Sequence, residues 1–114
     1  MGPISIRSLS RGDGHAVLDA SALFDHQPTT AWAEATLEAA GHHLLVAYDG
    51  EQPVGFVTGV ETTHPDKGTE MLVYELGVAE AFRRRGIGRA LVEELWGLAA
   101  DLGCYGMWVA VEPG

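Results

Sequence analysis

The chain reads as a single α/β domain of the α+β kind, residues 1–114, and three observations predict it. Short apolar runs bounded by Gly, Pro and Asp clusters recur as strand signals. Two of them, Leu44 to Tyr48 and Val54 to Val60, flank Asp49-Gly50-Glu51-Gln52-Pro53, where Asp-Gly predicts a hairpin of antiparallel neighbours. Leu91, Leu95, Leu98 and Leu102 recur at helical spacing, and Val92, Trp96 and Ala99 widen that stripe into an amphipathic helix. A length of 114 residues suffices for one core and is too short for two.

The elements follow in order. Ile4 to Leu9 sets Ile4, Ile6 and Leu9 against polar Ser5, Arg7 and Ser8 and predicts a first strand, broken by Ser10-Arg11-Gly12-Asp13-Gly14. From His15, the positions Val17, Leu18, Leu23 and Phe24 predict a helix that ends before His26-Gln27-Pro28. A second helix opens at Pro28-Thr29-Thr30 with a threonine N-cap, carries Trp32, Ala33, Leu37 and Ala40 on one side, and stops at Gly41. After the hairpin, Glu61 to Thr69 is polar and contains His64-Pro65-Asp66-Lys67-Gly68, which predicts an exposed loop before a fourth strand at Met71 to Val78. The long helix covers Ala90 to Leu102, with Gly103 as its C-terminal cap. Gly97 inside it is unfavourable by about 1 kcal/mol relative to alanine and marks close packing there. Tyr105 to Val111 predicts a fifth strand.

Composition narrows the function. With 46% hydrophobic and 20% charged residues the chain has the make-up of a globular protein. Its net charge is −9, and only three of its seven Lys and Arg residues lie outside positions 83–89. That excludes the distributed basic face that nucleic acid demands and favours a small cationic substrate. No apolar run approaches the roughly 18 residues of a membrane span, so no membrane partner is expected. The one cysteine, Cys104, forms no internal disulfide and suits a reducing compartment, so a cytoplasmic location is expected.

Four arginines crowd into Arg83-Arg84-Arg85-Gly86-Ile87-Gly88-Arg89, between the fourth strand and the long helix. The glycines permit left-handed dihedrals and close backbone approach, and the helix start aims unpaired N–H groups at the same spot, which together make an anion cradle. The plainer reading is a strand-to-helix turn with arginines exposed on it. A nucleotide P-loop would need Lys-Ser or Lys-Thr where Arg89-Ala90 stands, and a dinucleotide fingerprint would need a third glycine.

Arg83-x-x-Gly86-x-Gly88, directly after Tyr74-Glu75-Leu76-Gly77-Val78, resembles the coenzyme A site of the GNAT superfamily of acetyl-CoA-dependent N-acetyltransferases. The order of strand, two helices, hairpin and strand before it is similar as well. The resemblance implies the GNAT fold, a central mixed, mostly antiparallel sheet flanked by helices. It also implies acetyl-CoA as co-substrate and no metal. Tyr74 to Ala79, the arginine turn and Leu102-Gly103-Cys104-Tyr105 look most like the aminoglycoside 3-N-acetyltransferases, which implies an aminoglycoside amine as acceptor and a role in antibiotic resistance.

Carried over position by position, the backbone of Arg84, Gly86, Gly88 and Arg89 would hold the pyrophosphate, with Arg85, Ile87 and Ala90 lining the turn and Arg83 bracing it. Leu76, Gly77 and Val78 would pair with the pantetheine arm as an added strand, Gly77 giving room for its approach, and one amide there would polarise the acetyl carbonyl. Glu75 is the expected general base for the substrate ammonium and a substrate-binding residue, the alternative being an ordinary ion pair with the neighbouring arginines. Glu112 is a second expected substrate carboxylate. His42-His43 is expected to be a surface pair on opposite strand faces, His64 and Asp66 loop residues, Trp96 and Trp108 core residues, and Cys104 a small buried one.

The family continues past its fifth strand with a helix and two more strands, whereas this sequence halts at Glu112-Pro113-Gly114. The expectation is a domain truncated after the fifth strand. It would be a fragment, a form completed by a second chain as a homodimer, or a reduced module that binds acyl-CoA without turning it over.

Overall fold

A computed structural model of the protein describes residues 2–109. Five strands, β1 (Ile4–Leu9), β2 (His42–Asp49), β3 (Gln52–His64), β4 (Gly68–Val78) and β5 (Met107–Val109), form one sheet in the order β1-β2-β3-β4-β5. The first four are antiparallel, and β5 joins β4 in parallel after a crossover. The helices are α1 (Gly14–Asp19), α2 (Thr30–Glu38) and α3 (Ile87–Asp101). The result is the expected α+β arrangement, a mixed and mostly antiparallel sheet with helices on both faces.

Strand alternation sorts the core into two layers. On one face Leu45, Ala47, Val57, Met71 and Val73 meet Ile87, Leu91, Leu95 and Ala99 of α3. On the other, Leu44, Val46, Tyr48 and Phe56 meet Ala16, Val17 and Ala33 of α1 and α2. Thr29 caps α2 as expected, its Oγ1 accepting from the Trp32 N–H at 3.1 Å.

Several expectations are corrected. The helix expected from His15 to before His26 ends at Asp19 and is followed by a 3-10 turn, Ser21–Leu23. The break lets Leu23 and Phe24 swing onto the sheet, where the Phe24 ring stands 4.6 Å from that of Phe56. The loop expected over Glu61 to Thr69 is a continuation of the hairpin, with only residues 65–67 between the strands. Cross-strand polar pairs hold it: Thr63 and Thr69 hydroxyls at 2.9 Å, and His64 Nε2 with Glu70 Oε1 at 2.9 Å. The long helix begins at Ile87, three residues before Ala90, after a 3-10 turn at Glu80–Phe82. Trp96 and Trp108, expected in the core, are 47% and 45% exposed, because Trp96 lies off the Leu91-Leu95-Ala99 stripe and Trp108 sits on the sheet's edge strand. No heavy atom among the described residues lies within 4 Å of where a Cβ on Gly97 would stand, so nothing in this part of the chain packs there.

Candidate active site

The basic turn is shaped by two left-handed residues. Arg84, at φ 64°, is the one non-glycine residue with positive φ among the described residues, and Gly86 follows at φ 80° as the N-cap of α3. The first hydrogen bond of α3 runs from the Ala90 N–H to the Gly86 carbonyl at 3.0 Å. The amides of Gly86, Ile87, Gly88 and Arg89 therefore have no intrahelical acceptor and open, with the positive end of the dipole, toward the turn. Successive amides of this kind form an anion-binding concavity. Three of the arginine side chains have partners: Arg83 Nε donates to the Val78 carbonyl at 3.1 Å, Arg85 lies 5.5 Å from the Phe82 ring centroid, and Arg89 Nε donates to Glu93 at 3.0 Å. The Arg83 contact is a brace between turn and strand. The Ile87 side chain is buried in the core, which leaves only its backbone for a ligand.

Beside the turn, the edge of β4 is open. β5 pairs with β4 only from Met71 to Val73 among the described residues. The Ala79 N–H donates to the Val54 carbonyl at 2.8 Å, which fixes the parity of the β3–β4 ladder. Backbone groups of Gly77 and Glu75, two and four residues back, face β3, whereas those of Leu76 and Val78 face the open edge. Leu76 N–H, Leu76 C=O and Val78 N–H are thus presented outward, and Arg83 takes the Val78 carbonyl. A Cβ on Gly77 would stand 2.7 Å from Phe56 Cε1, so its missing side chain makes room for the core. A groove of about 310 Å³ runs over this stretch, lined by Leu23, Asp25, Leu76, Gly77, Val78 and Arg83.

Glu75 sits where the ladder slips. The register shift between Thr58 and Gly59 leaves Tyr74 unpaired as an extra residue on β4, and Glu75 pairs with Thr58. The Glu75 N–H donates to Thr58 Oγ1 at 2.9 Å. Two adjoining clefts, about 330 and 420 Å³, share Thr36, Thr58 and Glu75 as lining residues. The first adds Phe24, Asp25 and Trp32, and the second adds His43 and Tyr74. Glu75 is exposed and makes no ion pair among the described residues, so the alternative of an arginine partner does not hold. Asp25, Trp32 and Thr58 were not singled out for the site by their sequence context. Trp32 carried a signal that pointed the wrong way, since its spacing assigned it to the packed side of α2 and it is 73% exposed.

His42 and His43 line the second cleft; His42 is exposed, and His43 Nε2 lies 2.7 Å from Glu61 Oε2 across the strands. No group of three metal-ligating side chains occurs among the described residues. His64 belongs to the far end of the hairpin, and Asp66 lies in its turn. Cys104 is half-buried, and burial pushes its thiol up, away from nucleophile chemistry. Glu112 lies outside the described residues.

The model of the acetyltransferase (GNAT) family matches residues 11–114. The chain belongs to the GNAT acetyltransferase family. No curated protein matches it. Among solved structures, this GNAT chain is 26% identical to the aminoglycoside acetyltransferase HMB0005 from an uncultured soil metagenomic sample, with a TM-score of 0.83 over 98% of this chain and 82% of that one. It shares its fold with the ribosomal-protein-alanine N-acetyltransferase from Brucella melitensis biovar Abortus 2308 at 23% identity, a TM-score of 0.82 and coverage of 96% and 81%. It also shares it with the aminoglycoside N-acetyltransferase AAC(6')-Iy in complex with CoA, at 18% identity, a TM-score of 0.83 and coverage of 99% and 80%. Acetyl-CoA is the acyl donor of the family, and a helix start with four outward amides beside an open strand edge fits its pyrophosphate and amide-rich arm.

Proposed function

We propose that this protein is a cytoplasmic N-acetyltransferase whose acceptor is a primary amine on an aminoglycoside-like polycation, of the kind the 3-N-acetyltransferases modify. The single observation that carries this reading is the exposed Glu75 carboxylate, without an ion pair among the described residues, in a cleft shared with Asp25 and next to the open edge of β4. The 26% identity to an aminoglycoside acetyltransferase and a net charge of −9, which draws cations toward the molecule, support the substrate class.

The amides of Gly86, Ile87, Gly88 and Arg89 hold the pyrophosphate of acetyl-CoA, with Arg84 and Arg85 adding positive charge and Ala90 closing the turn behind them. Leu76 and Val78 pair with the pantetheine arm. Acetyl-CoA supplies the activated acyl group as a thioester. An outward amide of Leu76 or Val78 is placed to donate to the acyl oxygen as charge develops there. Glu75 would take a proton from the substrate ammonium, directly or through water, so that the neutral amine attacks the thioester carbonyl; the C–N bond forms, the C–S bond breaks, and coenzyme A leaves as its thiol with the second proton the amine gives up. Asp25 and Glu75 together hold a substrate of several positive charges.

The test is acetyl transfer from acetyl-CoA, followed by thiol release, against sisomicin, other aminoglycosides and alanine-terminated peptides. Wild-type protein acetylates the aminoglycosides. Glu75→Gln lowers kcat about a hundredfold while acetyl-CoA affinity stays within about twofold. An unchanged rate in Glu75→Gln refutes the base. Acetylation of peptides alone reassigns the acceptor, and coenzyme A binding with no acetylated amine makes the chain an acyl-CoA-binding module.

A further inference from the structure

We infer that Thr58 is a positioning residue for the acetyl transfer, acting through Glu75; the inference rests on the function proposed above. Thr58 has no counterpart in the motif that marks the coenzyme site, and it lies on β3, away from the turn and the open edge.

The β3–β4 pairing places one residue of β3 against two of β4 at the bulge, where Tyr74 has no partner in the ladder. A bulge of this kind bends the strand and re-aims the side chains that follow it. From Met71 to Val73 the residues alternate between core and cleft, with Met71 and Val73 buried against α3. The extra residue puts both Tyr74 and Glu75 out of that core, and each lines the cleft that holds Leu72 and Thr58. Without the bulge, the alternation would return Glu75 to the α3 face.

Two features hold the slip in place from the β3 side. Gly59 has no side chain where Met71 Sδ and Leu95 Cδ1 would each stand 2.9 Å from a Cβ, so the core fills the space directly behind the bulge. Thr58 Oγ1 accepts the Glu75 amide at 2.9 Å and ties that residue's backbone to β3 by its side chain. Thr58 is half-buried and lines both clefts together with Glu75, so its hydroxyl sits at the point where backbone position becomes carboxylate position. Valine keeps the shape of threonine and its β-branching but removes this acceptor.

The experiment is a double-mutant cycle on acetyl transfer to an aminoglycoside, with Thr58→Val, Thr58→Ala and Thr58→Ser in wild-type and Glu75→Gln backgrounds. Thr58→Val and Thr58→Ala should each lower kcat about tenfold, the scale of one lost hydrogen bond, with KM for acetyl-CoA within about twofold. Thr58→Ser, which restores the hydroxyl, should recover the rate. In the Glu75→Gln background the Thr58 substitutions should change nothing further, because their effect passes through the carboxylate. A full rate in Thr58→Val, or an equal loss in both backgrounds, overturns the inference while leaving the base intact. If Glu75→Gln itself has no effect, the function reading fails instead. If no amine is acetylated at all, hydrogen exchange at the Glu75 amide decides: exchange about tenfold faster in Thr58→Val supports the tie, and equal exchange ends it.

Discussion

The two ends of the β3–β4 hairpin are built from the same two strands and have opposite polar chemistry. At the turn end, polar groups are satisfied within the protein: His64 Nε2 meets Glu70 Oε1 at 2.9 Å, the Tyr105 hydroxyl donates to Glu70 Oε2 at 2.9 Å, and the Tyr105 N–H donates to the Thr69 carbonyl at 2.8 Å. At the other end, past the bulge, Leu76 and Val78 turn backbone groups to an edge without a strand partner among the described residues, and Glu75 stands exposed in a cleft. A network that satisfies itself stabilises the fold, whereas backbone donors arrayed on an open edge are free to take an added strand or an extended ligand.

The largest effect expected from breaking this contrast is at the ligand end. Gly86→Val cannot keep φ at 80° with a β-branched side chain, so the turn is rebuilt and its amides are re-aimed. Losing two hydrogen bonds to charged groups, at about 1.5–3 kcal/mol each, corresponds to a hundredfold or greater loss of coenzyme A affinity by calorimetry. No heavy atom among the described residues lies within 4 Å of a Cβ at that position, so the stability loss is limited to the strained left-handed φ, about 1–2 kcal/mol, and the fold should persist with a melting temperature lower by several degrees.

A smaller effect is expected at the closed end, and it depends on pH. The hydrogen bond from His64 is the first cause holding the Glu70 carboxyl below its ordinary value of 4.5; burial opposes it, and the Tyr105 hydroxyl adds to it. A lowered folded-state pKa stabilises the protein above pH 4.5 and loses that contribution as pH falls through the folded value. Glu70→Gln should therefore be less stable than wild type near neutrality in denaturant titrations, with the gap closing as pH falls below 4.5 and through the lowered folded-state value. A gap independent of pH would contradict the network, and coenzyme A affinity should not move. The smallest effect belongs to Gly97→Ala on α3, remote from both ends. With open space at its Cβ, the variant should gain up to about 1 kcal/mol of stability, read from the urea midpoint.

Much of the fold is legible from local chemistry. Asp49-Gly50 marks the first hairpin, Thr29 the cap of α2, and the leucine stripe the buried face of α3. The turn from Arg83 to Arg89 is legible because an anion cradle needs glycine, a helix start and a preceding strand together. What escapes a sequence reading is set by distant partners. The polar run from Glu61 to Thr69 reads as loop because its strand character comes from pairing across the hairpin, Thr63 with Thr69 and His64 with Glu70. That Gly77 also makes room for Phe56, 21 positions earlier, is set by packing that its neighbours in sequence do not show. The bulge at Tyr74 is invisible in a strand of ordinary composition, and with it the reason that Glu75 and Thr58 meet. Asp25 lines the cleft from the segment between α1 and α2, and Trp32 lines it from α2 itself.

The most direct test of the contrast is a titration of 15N-labelled protein with coenzyme A, followed by amide shifts. Saturable changes are expected at Leu76, Val78 and Gly86 to Arg89, with His64, Glu70 and Tyr105 unmoved. Changes centred on the His64–Glu70–Tyr105 end, or none at Gly86 to Arg89 when coenzyme A is bound, would contradict it.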